Sequence, residues 1–537
     1  MGNCSSINKV RYSKKKNKDL PNVMMPFDKK EKIKYDEIEP RNNINIFPKE
    51  KENTIRENSN NEKKELIELE LFFSIYDISD ISGKYKIKFS LIENNKINQS
   101  DETEEQNGGK IEFKKSLIFN YFFEKKQIIK IEIYEKNKRI TKMNIAIANI
   151  LQRINFIYSE KIEIEEKKFG ILELTLEETE KYKFQKLISE FSFEFELYNN
   201  NNIEEYNVQF VKKTNKIDVK KVNLKNEKFK IEKYQIPTSS ICDSKKDKIN
   251  IVLNNTNQNN QIEYYCEFTI EETEKKKKFI LKKKSFFINE EIGKITIIHN
   301  ETEKITFLDL LKKKLKIKLN IAIDFTDSNL DPQDENSYHY FKNKYQNNYE
   351  KSLFSIGNIL KNYNFEEVFD VFGHGAILNY EDKVNHCFNI NLQESPNIQF
   401  LDSVIRAYKQ CLNLITLFHP CHLSQILKKN LDLINNSLFE KKYENNYFVL
   451  LFLNKGYVIN DYSETKELLY ECSFKPLSII FLNIEKEKSN KKDIENDLFD
   501  LNERDFFQLI DFKDDLSFTE EALRKIPNQI LEYFNTN

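Results

Sequence analysis

Apolar and polar residues alternate one for one through much of the first three hundred residues of this chain, and near residue 303 that period is abandoned. LIELELFFSIY (66–76), IIKIEIYE (128–135) and FSFEFELY (191–198) put every second side chain on an apolar face. Such strands bury one face and wet the other, which antiparallel sheets do. Two blocks of this kind, 64–180 and 183–302, predict two antiparallel β-sandwiches, a duplicated module whose sequences have drifted apart. The polar stretch NQSDETEEQNGG at 98–109 reads as a surface loop. From 303 to 537 the strands become continuously apolar, as in KLKIKLNIAIDF (314–325) and NYFVLLFLNKG (446–456). Between them lie segments of helical spacing such as YEKSLFSIGNILKNY (349–363) and LDSVIRAYKQCLNLI (401–415). That alternation predicts an α/β doubly wound domain with a parallel sheet covered on both faces.

With 32% charged and 39% hydrophobic residues, the chain has enough apolar material for such cores. Its formal net charge of −1 argues against a general nucleic-acid binder, which needs a basic excess to neutralise phosphates. Seven cysteines at 4, 242, 266, 387, 411, 421 and 472 contain no CxxC pair. This spacing suits neither a zinc module nor a disulfide framework and fits a reducing compartment. No apolar run approaches the roughly 20 residues of a membrane-spanning helix, and the N-terminus lacks the apolar core of a signal peptide.

The first eighteen residues, MGNCSSINKVRYSKKKNK, carry a different signal. Gly2 followed by Ser6 matches the pattern for N-myristoylation, and Cys4 is placed for palmitoylation. A single myristoyl chain holds a membrane only marginally, so a second signal matters. Cys4 supplies one, and a basic cluster that includes Lys14, Lys15 and Lys16 supplies another, attracted by anionic lipid. Residues 19–63, with four prolines among charged and Asn-rich sequence, read as a tether. The expectation is a chain anchored to the cytoplasmic face of a membrane, the plasma membrane first of all.

IAIDFTDSN (321–329) runs an apolar strand straight into Asp324, Thr326 and Ser328, spaced two apart. Such a strand end reads either as a turn or as a metal site at the carboxyl edge of the sheet.

Several separated segments resemble the copine family in family order: ITFLDLL with KLNIAIDFTDSNLDP and SYHY, VFGHGA with VNHCFNIN, NYFVLLFLNKG followed by ETKE, KPLSIIFLNI, ERDFFQLIDF and IPNQILEYF. The resemblance covers roughly 265–537 well and 64–264 in outline. It implies two C2-like sandwiches followed by a Rossmann-like, von Willebrand factor A-type domain, and the acylated start resembles the BONZAI copines of plants. It also implies calcium-dependent binding of anionic phospholipid by the C2 domains, and recruitment of partner proteins by the A-type domain in membrane traffic or signalling.

In the A-type pattern a divalent ion is held by D-x-[ST]-x-S, a threonine from a second loop and an aspartate after the central strand. Asp324, Thr326 and Ser328 keep the first element, but Cys421 stands for the threonine and Lys455 for the aspartate. A thiol is a poor ligand for Mg²⁺, and an ammonium takes the space and charge the ion needs. Mg²⁺ is therefore doubtful, and Lys455 is expected to pair with Asp324 or Asp327 instead. In the first C2-like domain Asp77, Asp80 and Glu135 are the residual calcium candidates, for weak binding of Ca²⁺. In the second, the loop positions hold Asn254, Asn255, Asn257 and Asn259, so the negative charge is gone. Two basic runs, at 275–284 and 312–318, are either lysine faces for anionic lipid, with Lys282, Lys283 and Lys284 foremost, or edge strands defended by lysine. His419 and His422 flank Cys421 and could mimic a soft-metal site, although an ordinary polar loop accounts for them. Neither a Gly-rich phosphate loop nor a nucleophile elbow is present. The paired cysteines of a RING ubiquitin ligase are also missing after Cys472. The reading is an adaptor rather than an enzyme.

Overall fold

A computed structural model describes residues 66–536 except 79–80, 165–166, 199–203, 225–227, 256–262, 284–289, 342–345, 365, 440–444 and 486–503. Gly2, Cys4, Lys14, Lys15, Lys16, Asp80, Asn257, Asn259 and Lys284 lie outside the described residues.

The first module is built from β1 (Ile67–Tyr76), β2 (Lys84–Glu93), β3 (Lys96–Glu102), β4 (Leu117–Tyr121), β5 (Gln127–Glu135), β6 (Lys138–Ala146), β7 (Ile157–Ile164) and β8 (Lys167–Glu178). They form two sheets, β4-β1-β8-β7 and β3-β2-β5-β6. Alternation does the work: Leu69, Leu71, Phe73 and Ile75 of β1 are all buried, and Phe73 stacks on Phe89 of the facing sheet at 4.7 Å. The expected loop at 98–109 is partly strand. β3 pairs with β2 through its backbone while its side chains stay wholly or largely outside the core, as an edge strand can.

The second module repeats the plan with β9 (Leu187–Leu197), β10 (Glu204–Lys212), β11 (Asn215–Leu224), β12 (Lys228–Pro237), β13 (Ile249–Asn255), β14 (Glu263–Phe268), β15 (Lys278–Lys283) and β16 (Glu290–Glu303). Its halves run β12-β9-β16-β15 and β14-β13-β10-β11, joined through a two-residue pairing of β14 with β15. Shifted by eight, this is the strand order of the first module. A core of its own, including Phe191, Phe193, Phe195, Phe210 and Phe268, fills it. Its two ends meet: Leu187 pairs with Glu303, and the Lys304 N–H donates to the Lys186 carbonyl at 2.9 Å.

The third module has a parallel sheet of β17 (Lys316–Asp324), β18 (Val368–His374), β19 (Asn446–Asn454), β20 (Leu477–Asn483) and β21 (Phe507–Asp511), in the order β18-β17-β19-β20-β21. Every residue of β19 and β20 is buried, as burial on both faces requires. The covering helices are α1 (Phe307–Lys312), α2 (Asn348–Leu360), α3 (Leu401–Cys411), α4 (Ser424–Phe439), α5 (Tyr462–Cys472), α6 (Ser517–Arg524) and α7 (Ile526–Thr536). The chain's last helical stretch is split into α6 and α7, with Pro527 in the first turn of α7, where its missing N–H costs nothing.

The first and third modules share one continuous core. Phe123 meets Phe307 at 5.3 Å and Tyr363 at 4.8 Å, and the Tyr121 and Tyr363 hydroxyls bond to each other. Beside them the buried Lys186 ammonium lies 3.1 Å from Glu178 of β8 and 3.2 Å from Asp309 of α1.

Candidate functional site

β17 is the first strand of its sheet, and the chain passes from it to β18 on one side and to β19 on the other. The carboxyl end of β17 is therefore the switch point where doubly wound sheets open a crevice. Asp324 ends that strand, 1% exposed. Its Oδ1 accepts the Thr326 N–H at 2.8 Å and its Oδ2 accepts the main-chain N–H of Lys455 at 3.1 Å. The hydroxyls of Thr326 and Ser328 bond to each other at 2.8 Å. The crevice, about 270 Å³, is completed by Asp327, His419, Cys421, Asn460 and Glu485 among others.

Lys455 does not pair with either aspartate. Its ammonium donates to the Ser328 carbonyl at 2.7 Å and lies 5.3 Å from the centre of the Tyr338 ring. Asp327 takes His419 Nδ1 instead, at 2.8 Å. A carbonyl wins because the 327–329 turn lifts it towards the lysine, whereas Asp324 is already engaged by main-chain donors. Burial pushes the Cys421 thiol well above its ordinary pKa, and its sulfur accepts from Asn454 Nδ2 at 3.4 Å. The positions of the A-type pattern thus hold a neutral thiol, two hydroxyls bonded to each other, a tethered ammonium and a carboxylate with both oxygens engaged. That donor set does not fit a hard dication, which wants several free anionic or neutral oxygens.

His339 belongs to this site and was not singled out by the sequence reading. Its Nε2 is 3.0 Å from the Asp324 carbonyl, which can only accept, so Nε2 carries the proton and Nδ1, 2.8 Å away, accepts from the Tyr408 hydroxyl. Burial pulls its pKa down to about 4 despite the Asp324 charge, and a neutral ring is what this pair of bonds requires. The only sequence signal was SYHY, fifteen residues downstream of Asp324. The His422 ring lies tilted against that of His386, with centres 4.3 Å apart.

The calcium candidates are arranged differently. Asp77, at φ 53, has its carboxylate 3.1 Å from the Lys168 ammonium, so a cation is already beside it. Glu135 closes β5, and the next residue, Lys136, donates its N–H to the Lys84 carbonyl at 2.9 Å. In the second module Asn254 donates to Gln209 at 2.7 Å. Among the described residues no three His, Cys, Asp or Glu side chains come together in a metal-holding group.

The basic runs divide. Lys282 and Lys283 lie half-buried on β15, opposite Glu291 and Glu290 of β16. Lys275 ends a short helix, so the 275–284 run is not one strand face. Within 312–318, Lys316 and Lys318 sit on β17 opposite Asn446 and Phe448 of β19, while β18 pairs with β17 only from Asn320 onwards. That run is not one strand face, because Lys312 ends α1.

Residues 337–537 match the family model described as Copine. This part of the chain is a copine domain. The match begins after the Asp324 motif, although the copine domain's sheet takes its first strand, β17, from upstream of it. Among solved structures, the calcium-bound tandem C2 domains of extended synaptotagmin 2 align at 9% identity and TM-score 0.18, covering 44% of this chain and 96% of that one. Human GIVD cytosolic phospholipase A2 aligns at 8% identity and TM-score 0.18, covering 48% and 40%. The PilB minor pilin from Streptococcus sanguinis aligns at 11% and 0.24, covering 64% and 87%. These likenesses are too slight to carry an argument. The two antiparallel sandwiches and the α/β copine domain rest on the strand orders above.

Proposed function

We propose that this protein is a peripheral membrane adaptor that binds anionic phospholipid and recruits a partner protein through its copine domain. The observation that carries this reading is the combination in one chain of a copine domain with two sandwiches of the same strand order. Attachment to the cytoplasmic face of the plasma membrane would come from acylation of Gly2 and Cys4, helped by Lys14, Lys15 and Lys16. Lys282, Lys283 and Lys284 would add contacts to lipid. Calcium would matter little, because Lys168 sits on Asp77 and the second module has asparagines in its loop. The strand-end chemistry favours binding over catalysis: the Cys421 thiol is held protonated and Asp324 is spent on main-chain donors.

Gly2→Ala should move the protein from membrane to cytosol in cell fractionation, while Cys4→Ser should leave a partial, salt-extractable fraction. An unchanged membrane fraction in Gly2→Ala would show that the folded modules or a partner hold the protein there. Sedimentation of Gly2→Ala with phosphatidylserine vesicles, in calcium and then in chelator, tests the residual lipid binding.

The copine domain should hold its fold without Mg²⁺. Thermal melts of the natural protein should coincide in Mg²⁺ and in chelator. Lys455→Asp with Cys421→Thr supplies the missing carboxylate and hydroxyl and should create a Mg²⁺-dependent rise in melting temperature. The same rise in the natural protein would make Asp324, Thr326 and Ser328 working ligands.

A further inference from the structure

Beside the Asp324 crevice the copine domain has a second, larger cleft of about 550 Å³, which shares Asp327 with it. One wall is the loop at Leu330–Gln333 and the other is the short strand Ile415–Leu417. Leu330, Phe341 and Leu412 give it an apolar lining, and Leu330, at φ 66, is 43% exposed. A leucine in the left-handed region, turned partly to water, is costly unless the site has a use for it.

The strand is an edge. Ile415–Leu417 pairs with Ala376–Leu378, which pairs in turn with Val384–Asn385, and among the described residues no strand lies on the outer side of 415–417. The bond from the Phe418 N–H to the Gly375 carbonyl, 2.9 Å, fixes the phase of the ladder. Hydrogen-bonded pairs alternate along an antiparallel ladder, so Thr416 faces inward with Phe418. The peptide groups of Ile415 and Leu417 then point to the open side, towards the cleft. An unpaired strand beside an apolar slot is the arrangement that accepts an added strand.

The charge of the slot is one-sided. Asp327 and Asp331 are exposed on its lining, and no lysine or arginine is among the described lining residues. Asp331 spends one carboxylate oxygen on the Gln333 N–H, at 2.8 Å. Asp327 has one carboxylate oxygen 2.8 Å from Nδ1 of His419, a residue outside the lining of the slot.

We propose that an extended segment of a partner protein, with basic residues alternating with apolar ones, adds as a strand to Ile415–Leu417. Its backbone takes the open peptide groups, its apolar side chains enter the slot over Leu330, Phe341 and Leu412, and its basic side chains meet Asp327 and Asp331. This rests on the adaptor reading and names the chemistry of the partner at the copine domain.

The test is fluorescence anisotropy with the full-length protein and two labelled octapeptides, one alternating valine with arginine and the other valine with glutamate. The arginine peptide should bind at least tenfold more tightly than the glutamate peptide, in chelator as well as in Mg²⁺. Asp331→Lys, a change at an exposed side chain, should weaken the arginine peptide at least tenfold and improve the glutamate peptide. Leu417→Pro removes an outward N–H and should abolish binding; a melt confirms that it folds, and Asp331→Lys decides the matter if it does not. Equal affinity for the two peptides, or an Asp331→Lys variant that binds as before, overturns the proposal. So does self-association of the natural protein abolished by Asp331→Lys, which would assign the slot to a second copy of this chain. Membrane fractionation of Gly2→Ala does not involve the slot, so a failure here leaves the membrane reading standing and a failure there leaves this one.

Discussion

Arg504→Ala is expected to destabilise the copine domain by about 3–5 kcal/mol, at the upper end for a single substitution. The side chain is 7% exposed and its guanidinium spans the end of the sheet. Nε donates to the Ser473 carbonyl at 2.8 Å, one terminal nitrogen to the carbonyls of Lys475, at 2.6 Å, and Leu477, and the other to the Tyr447 hydroxyl at 3.2 Å and the Gln529 carbonyl at 3.5 Å. The rings of Phe506 and Tyr533 flank it at 5.2 and 5.6 Å. Truncation takes this donor from four carbonyls, those of Ser473, Lys475, Leu477 and Gln529, and one water cannot reach all of them. Arg504→Lys should recover only a minor part, because one ammonium cannot reach several acceptors set around a plane. Urea unfolding followed by fluorescence of the 26 tyrosines checks it. A midpoint shift of under half a molar would mean that the carbonyls find other partners.

Lys186→Ala should cost about 3–5 kcal/mol as well, because it strands two acidic groups at the seam between the first module and the copine domain. Lys186 and Glu178 side chains are 4% and 5% exposed, and Lys312 reaches Glu178 from 3.4 Å. Lys186→Met with Glu178→Leu should restore most of the loss, since apolar groups of similar volume often replace a buried pair without penalty. The pH dependence has two signs. Burial raises the Asp309 carboxyl, but Thr306 and Lys186 outweigh it, so its folded pKa is below the ordinary value. Its contribution is present above about pH 4 and is lost as pH falls through the folded pKa. Burial lowers the Lys186 ammonium, but Glu178 and Asp309 outweigh it and raise the pKa overall. Its contribution is present below about pH 10 and is lost as pH rises through the folded pKa. Chemical denaturation at pH 3, 7 and 11 should find the natural protein most stable at 7, with the difference flattened in the apolar double variant.

The modules were legible because burial imposes a period: β1 and β9 alternate and β19 does not, each as its sheet demands. β3 was hidden because an exposed edge strand is specified by the backbone of its neighbour, not by an apolar face. At the site, the closeness of Asp324, Thr326 and Ser328 follows from local spacing and could be read directly. The destination of the Lys455 ammonium could not, because it depends on a carbonyl that the 327–329 turn exposes. Long-range partners were equally out of reach: nothing near Asp77 announces Lys168, ninety-one residues on. Arg504 stands in ERDFFQLIDF, yet its acceptors come from three other stretches of chain, at Tyr447, 473–477 and Gln529.

The meeting of Leu187 with Glu303 changes the cost of assembly. In sequence, more than a hundred residues separate the first module from the domain whose core it shares, and closing a free loop of that length costs about 4 kcal/mol of chain entropy. Once the second module has folded, Lys186 and Lys304 are hydrogen-bonded neighbours, and the flanking pair is joined as if by a tight turn. The middle module thus acts as a clasp, converting a distant encounter into a local one before the Tyr121–Tyr363 seam closes.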